Sequence, residues 1–266
     1  MEEDIIVGLE IGTSKIAAIA GRKTDCGKIH ILGMVKTASD RLGMGCMEET
    51  ESTVETILHV INRLEEETSI KISSVNVGVS GQYLHGTQHT ASILRDNPHE
   101  IISEYDVKHL WDEMYKTKIP IESKIIHIMP QEYFVDFQGG MKNPIGRMGY
   151  RLEADFNVLT VNTKALQALE NCVLKTNLQI NELVFAPVAT SFAVLEEEKK
   201  ETGVVLVDIG GAKTDITVFF EGSIQHHTII PIGGDSVTSD IAKCFSVMPQ
   251  QAEKLKTKFG YALSSY

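Results

Sequence analysis

Two short segments of the chain, residues 6–16 and 204–216, repeat one order of residue types. Each contains an apolar run, an acidic residue, Ile, a glycine, two small residues and a lysine, followed by a second run that favours β-structure. The pattern predicts a buried strand that ends in a carboxylate, a tight turn at Gly12 or Gly210, and a strand that returns beside the first. One such turn is an ordinary hairpin. Two of them, facing each other in a duplicated fold, could hold the phosphates of a nucleotide from both sides.

The side chains at the two turns suit phosphate and magnesium. Glycine has no Cβ, so the amides that follow Gly12 and Gly210 can approach an anion closely. Hydroxyls and lysines add further donors. Carboxylates at the ends of such strands commonly hold hydrated Mg²⁺, which prefers one or two protein acids. The candidates for the phosphates are Gly12, Thr13, Ser14, Lys15, Gly210, Gly211, Ala212 and Lys213, and those for the metal are Glu10, Asp208 and Asp215.

A third glycine pattern, Gly233-Gly234-Asp235, precedes a predicted helix. A glycine pair that opens a helix can serve as an anion or ribose site. Taken alone, the pattern is explained better by a turn followed by an N-cap residue. The histidine pairs 85/89 and 226/227 lack the acidic or cysteine partners of a metal site, so we interpret them as surface or packing residues. Trp111, on a predicted helix, is interpreted as a core or contact residue.

Composition limits the class of protein. The 266 residues carry a formal charge of −11, which argues against a broad, non-specific nucleic-acid surface. The four cysteines are far apart, as expected for reduced thiols in a cytosol rather than for a zinc site or disulfide framework. The start has no signal-peptide pattern, and no apolar run reaches the roughly 18 residues of a membrane span.

The order of predicted elements indicates an α/β fold with a repeated domain. Strand, strand, strand, helix and strand occupy the first 82 residues, with the helix over 49–68, and the order of three strands and a helix begins again at Gly203. Residues 83–155 break this rhythm and contain a predicted helix at 104–116 and a strand at 124–129. We predict a first domain in two parts, 1–82 and 156–195, an inserted subdomain at 83–155, and a second domain at 196–266.

The motifs resemble those of known proteins. The two turns, the glycine pair and the AEKLK segment at 252–256 are similar to the superfamily of actin, Hsp70 and the sugar kinases, whose ATPase fold has two ribonuclease H-like domains. The resemblance narrows to the FtsA family of bacterial cell-division proteins and covers nearly the whole chain. Its motifs are VGLEIGT (7–13), IMPQEY (128–133), KNPIG (142–146), VDIGG (207–211), VTSDIA (237–242) and FGYA (259–262).

The resemblance implies ATP and Mg²⁺ as ligands. It adds Thr214 to the second phosphate loop, assigns Gly233 and Gly234 to the phosphate–ribose region and Glu253 and Lys256 to the adenosine, and makes Asp208 the principal acid on the metal side. Ala212 stands where the family often has a third glycine, so its Cβ is expected to crowd the phosphates and weaken affinity. The resemblance does not identify a catalytic residue, and we expect at most a slow ATPase.

The same resemblance implies the protein's partners and location. Members tether filaments of the tubulin-like protein FtsZ to the inner face of the cytoplasmic membrane at the division site, and they form actin-like polymers. Their inserted subdomain contributes to self-interaction and recruits later division proteins. Family members continue beyond the position of Tyr266, and that part completes the second domain, binds FtsZ and ends in an amphipathic membrane helix. We therefore expect an incomplete second domain with exposed apolar strands and lower stability.

Two alternatives stay open from the sequence. A small-molecule kinase of the same superfamily would need a general base near the acceptor hydroxyl, and no persuasive candidate is found. An interaction module that does not bind nucleotide would retain only the function of the inserted subdomain.

Overall fold

The first glycine turn belongs to a five-stranded sheet. The computed structural model describes residues 5–24, 27–39, 51–81 and 83–263. The strands of this sheet are β1 (Ile5–Ile11), β2 (Lys15–Lys23), β3 (Ile29–Ala38), β4 (Ser74–Val79) and β9 (Gln179–Phe185). Their order is β3-β2-β1-β4-β9; the pairs β3–β2 and β2–β1 are antiparallel, and the other two pairs are parallel. Because β1, β4 and β9 are parallel, their carboxyl ends lie at the same end of the sheet, where the first glycine turn follows β1.

Three helices accompany the sheet: α1 (Glu51–Thr68), α3 (Thr163–Leu174) and α4 (Ala186–Val194). The buried side chains of α1 include Ile57, Val60 and Leu64, whose spacing of three and four residues puts them on one helix face. They join a core formed with the strands. Asn162 caps α3, because its side-chain oxygen accepts a hydrogen bond from the amide of Lys164 at 3.0 Å.

The inserted region forms its own sheet and its own core. It comprises β5 (Leu84–Leu94), α2 (Glu104–Tyr115), β6 (Ser123–Val135), β7 (Gln138–Met141) and β8 (Arg151–Asn162). The sheet order is β5-β8-β6-β7, and all pairs are antiparallel. Leu110 and Met114 of α2 are fully buried with Leu152 and Phe156 of β8, in a cluster separate from that of the first sheet. Trp111 contacts this core edge-on through Phe156, as interpreted from the sequence.

The second turn belongs to a three-stranded antiparallel sheet with the order β10-β11-β12. The elements from residue 197 onward are α5 (Glu197–Thr202), β10 (Val204–Ile209), β11 (Thr214–Phe220), β12 (Ser223–Ile230), α6 (Gly234–Phe245) and α7 (Pro249–Phe259). The repeated order of three strands and a helix is therefore confirmed. Val205, Val207 and Ile209 of β10 are 55%, 49% and 70% exposed, so this sheet presents the apolar surface that we expected.

Some predicted bounds differ from the observed elements. The boundary drawn after Asp155 falls inside the continuous strand β8, and β6 extends past Met129 to Val135. A shift in register beside Pro130 accommodates the proline, which has no amide hydrogen to donate. Neither β5 nor β7 was predicted. β5 is an edge strand whose HGTQHT run is mostly exposed and polar, so it lacks the apolar alternation of a strand. The predicted helix start at 49, as well as Cys26 and Cys46, lie outside the described residues; Cys172 and Cys244 are free thiols.

Candidate functional site

The two glycine turns have the same geometry and face each other. The amide of Gly12 donates to the carbonyl of Lys15 at 2.9 Å, and the amide of Gly210 donates to the carbonyl of Lys213 at 2.8 Å. A Cβ built at Gly211 would lie 3.0 Å from the Cβ of Ser14, so the tips of the two turns are in close contact. The duplicated sequence pattern therefore produces a duplicated hairpin whose two copies meet across one cleft.

The cleft between the turns has a volume of about 590 Å³, which is within the usual range of small-molecule sites. Most of the residues predicted from the sequence line it, so the fold brings together segments that are about 200 positions apart. These lining residues are Glu10, Gly12, Thr13, Ser14, Lys15, Asp208, Gly210, Gly211, Lys213, Asp215, Gly234, Glu253 and Lys256.

Three predicted residues, Ala212, Thr214 and Gly233, are not among the residues that line the cleft. The hydroxyl of Thr214 donates instead to the carbonyl of Ile232 at 2.7 Å. Gly233 is buried, and a Cβ there would lie 2.3 Å from the carbonyl oxygen of Gly211. It therefore allows a close approach between two backbone segments.

Because the two backbone segments lie so close together, the first amides of α6 donate hydrogen bonds to the second turn. Gly234 donates to the carbonyl of Gly210 at 2.9 Å, and Asp235 donates to the carbonyl of Gly211 at 2.8 Å. The helix start thus supports the second turn through its first amides. The glycine pair forms a turn before the helix, with Gly233 at the N-cap position and without a side-chain cap, and its role toward a phosphate or ribose stays a prediction.

Several lining residues were missed from the sequence. Ser80 follows β4, and Thr53, Cys172 and Thr190 lie on the helices of the first domain. Gly78 of β4, which does not itself line the cleft, pairs with the lining residue Glu10, and a Cβ at Gly78 would lie 2.4 Å from Glu10 Oε2. A glycine inside a strand often marks a close approach, and this signal could have identified Gly78. The hydroxyl and thiol residues carry no comparable signal.

The acids and lysines of the cleft interact closely. Lys213 Nζ lies 2.9 Å from Asp215 Oδ2 and donates to Ser80 Oγ at 2.6 Å. Burial raises the pKa of Glu10 from 4.5 to about 6, and the charges of Asp208 and Asp215 also raise it, whereas Lys213 and Lys15 lower it. Burial therefore outweighs the two lysines, and the carboxylate of Glu10 is energetically costly in this fold.

Asp215 also has a buried neighbour on the other side. His227 of β12 is 3% exposed at its side chain, packs edge-on against Phe185, and has its Nε2 3.8 Å from Asp215 Oδ1. Neither of these two buried atoms has a hydrogen-bond partner among the described residues. Burial lowers the pKa of His227, against the opposing effect of Asp215. The interpretation of His227 as a packing residue is supported, and His226 on the opposite face is exposed.

Beside the second turn, where α6 begins, α6 and α7 share a polar network. Lys256 Nζ donates to the carbonyl of Gly234 at 3.0 Å and to Thr238 Oγ1 at 2.8 Å, and it lies 2.7 Å from Glu253 Oε2. Thr238 is fully buried and donates to the same Glu253 carboxylate. These contacts fix the two side chains that the resemblance implies for adenosine binding.

The charged side chains of the cleft determine whether it could bind Mg²⁺. Three lysines (Lys15, Lys213, Lys256) and five carboxylates (Glu10, Asp208, Asp215, Asp235, Glu253) line it. Within the described ranges, no group of three or more His, Cys, Asp or Glu side chains could hold a metal ion by itself. Mg²⁺ usually keeps several waters and shares one or two carboxylates with substrate phosphates. The donor set therefore fits a metal that is bound together with phosphate.

Comparison with family models identifies two matching regions. The model described as "Cell division protein FtsA" matches residues 205–266, and the model described as "SHS2 domain inserted in FTSA" matches residues 81–160. Together these regions cover more than half of the chain. The second match overlaps the predicted inserted subdomain and includes most of β8.

Curated relatives align over nearly the whole chain. The cell division protein FtsA of Pseudomonas aeruginosa is 36% identical over 261 residues, which is 98% of this chain and 62% of the relative. FtsA of Escherichia coli K12 is 34% identical over 264 residues, which is 99% of this chain and 62% of the relative. The chain thus spans about three-fifths of the length of these relatives.

Solved structures with low sequence identity show the fold. The PilM–PilN type IV pilus biogenesis complex matches with a TM-score of 0.66 and 15% identity, over 96% of this chain and 70% of the other. Ethanolamine utilization protein EutJ from Carboxydothermus hydrogenoformans matches with a TM-score of 0.56 and 15% identity, over 97% of this chain and 63% of the other. MreB5 of Spiroplasma citri bound to ADP matches with a TM-score of 0.50 and 13% identity, over 98% of this chain and 64% of the other. The chain has the actin-like ATPase fold with an inserted SHS2 domain. Among the described residues, no helix is long and apolar enough to cross a membrane.

Proposed function

Because the chain belongs to the FtsA family of cell-division proteins, we propose that it is an ATP- and Mg²⁺-binding, actin-like adaptor of the division machinery. Its output is assembly at the septum, with little or slow hydrolysis. Self-association into polymers and linkage of FtsZ filaments to the inner face of the cytoplasmic membrane are parts of this proposal.

One observation carries the proposal: the two hairpin turns face each other across a single cleft. Each turn is closed by the same glycine-to-lysine backbone bond, at 2.9 and 2.8 Å, and each places a lysine and an acid at the cleft wall. Small residues at the tips leave the backbone accessible to phosphate oxygens. MreB5, which shares this fold, is bound to ADP in its structure, and this supports a nucleotide as the ligand.

Charge balance supports a role for magnesium. With five carboxylates and three lysines at the wall, a triphosphate alone would meet net repulsion. A divalent cation that shares the phosphates would remove this repulsion. Glu10, Asp208 and Asp215 are the side chains proposed to hold its water shell, while Lys15 and Lys213 face the phosphates.

The side chains at α6 and α7 are proposed to bind the nucleoside. Glu253 and Lys256 are held by Thr238 and by the carbonyl of Gly234, so they are ordered before any ligand arrives. Lys256→Ala is expected to weaken ATP binding, whereas Lys258→Ala should not, because the Lys258 ammonium packs over Phe259. Binding titrations of the two variants compare lysines on the same helix.

The inserted subdomain is proposed to recruit later division proteins and to contribute to self-interaction. Its separate core supports this proposal, because a partner surface on the insert needs no part of the cleft chemistry. The proposed domain bounds are 1–82, 83–155, 156–195 and 196–266; strand β8, which crosses the second of these boundaries, pairs along its length with strands of the insert.

Sedimentation combined with product analysis tests the adaptor function. We expect the purified chain to pellet in the presence of ATP and Mg²⁺, with phosphate release far slower than assembly and with no phosphotransfer to sugars. Lys213→Ala should lose the nucleotide-dependent pelleting, and Lys243→Ala, in the last turn of α6, should keep it. Efficient phosphotransfer would replace the proposal by the kinase alternative. Partner binding without any nucleotide binding would replace it by the interaction module.

A further inference from the structure

Ser80 lies at the point where the chain leaves the first sheet for the inserted subdomain. β4 ends at Val79, and Ser80 and Gly81 precede β5, which begins at Leu84. Gly81 has a φ of +143°, a conformation that side-chain-bearing residues rarely adopt. Its carbonyl accepts a hydrogen bond from the amide of Leu84 at 3.0 Å. Ser80 and Gly81 therefore lie in one of the two backbone connections of the insert, and we refer to these two residues as the hinge.

The hinge is held by a side chain from the second phosphate turn. Lys213 Nζ donates to Ser80 Oγ at 2.6 Å, across 133 positions of sequence. The same ammonium lies 2.9 Å from Asp215 Oδ2, and Lys213 is only 18% exposed at its side chain. An ammonium has three N–H donors, and these are its two hydrogen-bonding or ion-pair partners within the described ranges. It therefore has a donor to offer to a third acceptor in the cleft.

The body of the insert also contacts the second domain, at the other end of the β10–β12 sheet. Gln131 of β6 donates its side-chain amide to the carbonyl of Ile224 at 3.0 Å, and Asn157 of β8 donates to the same oxygen at 3.4 Å. Lys142 and Glu201 form an ion pair nearby. The insert thus touches the second domain at two separated places: the hinge, next to the phosphate turn, and the start of β12.

From this arrangement we infer that the Lys213–Ser80 contact couples occupation of the cleft to the order of the inserted subdomain. The inference rests on the proposed nucleotide function and adds to it a route of regulation. A phosphate oxygen that takes the third donor of Lys213 fixes the ammonium. The fixed ammonium holds Ser80, and the insert, which already rests on Ile224, loses freedom to move about its hinge. Nucleotide binding then restricts the surface that recruits partners.

Hydrogen exchange of the insert, measured with and without saturating ATP and Mg²⁺, tests this coupling. In the wild-type chain, we expect exchange at the start of β5 and the end of β8 to slow by about fivefold, the low end of typical couplings between sites. Ser80→Ala should abolish this slowing. Ser80→Thr, which keeps the hydroxyl, should restore it. Ser74→Ala is the matched control, because Ser74 lies at the opposite end of β4, where it accepts a bond from Asn181 at 3.0 Å.

Calorimetric titration of each variant separates the possible failures. It gives the ATP concentration needed for saturation and shows that each variant is folded and binds. If ATP binds and exchange in the insert is unchanged, or if Ser80→Ala is protected as strongly as the wild type, the coupling is wrong and the nucleotide site stands. If the wild-type chain does not bind ATP, the proposed function fails and the coupling fails with it.

Discussion

Replacing Glu10 by Gln should make the folded chain more stable at neutral pH. Burial raises the pKa of Glu10 from 4.5 to about 6. Each tenfold change in an acid dissociation constant corresponds to about 1.4 kcal/mol, so the charged carboxylate costs the fold about 2 kcal/mol. Glutamine resembles the neutral acid in shape and carries no charge. We therefore expect Glu10→Gln to raise the free energy of unfolding by about 2 kcal/mol at pH 7.5.

The gain in unfolding free energy from Glu10→Gln should increase as the pH rises. The folded chain holds more protons than the unfolded chain between pH 4.5 and about 6, because the pKa of Glu10 is higher in the folded state. The contribution of wild-type Glu10 to stability is therefore greatest below pH 4.5, falls as the pH rises to about 6, and is constant above that. The advantage of the glutamine variant should fall to about a fifth of its full size at pH 4.5 and reach nearly its full size above pH 6.5.

Urea denaturation at a series of pH values between 4.5 and 8 measures this difference. Glu66→Gln, on the exposed side of α1, controls for the removal of one negative charge. A glutamine variant that is less stable at pH 7.5, or whose advantage is the same at every pH, would refute the reasoning. The same variant should bind ATP less tightly in the presence of Mg²⁺, since Glu10 is proposed to hold the water shell of the metal.

Two further substitutions test the packing that positions the cleft and the insert. Gly233→Ala should destabilise the chain by about 1–3 kcal/mol in thermal melts, because its Cβ would lie 2.3 Å from a backbone oxygen, whereas Gly8→Ala, with a nearest contact of 3.4 Å, should change little. Arg95→Leu should destabilise the insert by about 3–5 kcal/mol, because the buried guanidinium pairs with Asp106 at 3.1 Å and donates to three carbonyls. Hydrogen exchange of α2 measures this loss, and unchanged protection there would contradict it.

The two hairpin turns, and their position opposite each other across the cleft, could be predicted from the sequence because both depend on local patterns. An acid, a glycine and a lysine in the same order twice define two turns, and a duplicated domain brings two such turns together. The predicted helices and most strands of the two domains agree with the observed ones for the same reason: their apolar spacing is regular. The metal role of the three acids stays a prediction.

What the sequence did not predict depends on contacts between distant segments. The assignment of Thr214 to the phosphates stays a prediction, and the bond from its hydroxyl to the carbonyl of Ile232, 18 positions away, is not indicated by its sequence neighbours. β5 was missed because an exposed edge strand needs few apolar residues. Ser80 was missed because its part in the cleft comes from a lysine 133 positions away, and nothing near Ser80 in the sequence indicates that partner.

Calorimetric titration of the purified chain with ATP, with and without Mg²⁺, tests the central proposal most directly. We expect binding that depends on Mg²⁺ and that Gly210→Val abolishes, because a Cβ at Gly210 would already lie 3.1 Å from the carbonyl oxygen of Lys213, and valine adds two methyl groups at the phosphate turn. A folded wild-type chain that binds no ATP, or that binds it equally well with Gly210→Val, would contradict the proposal that the two turns form a phosphate site.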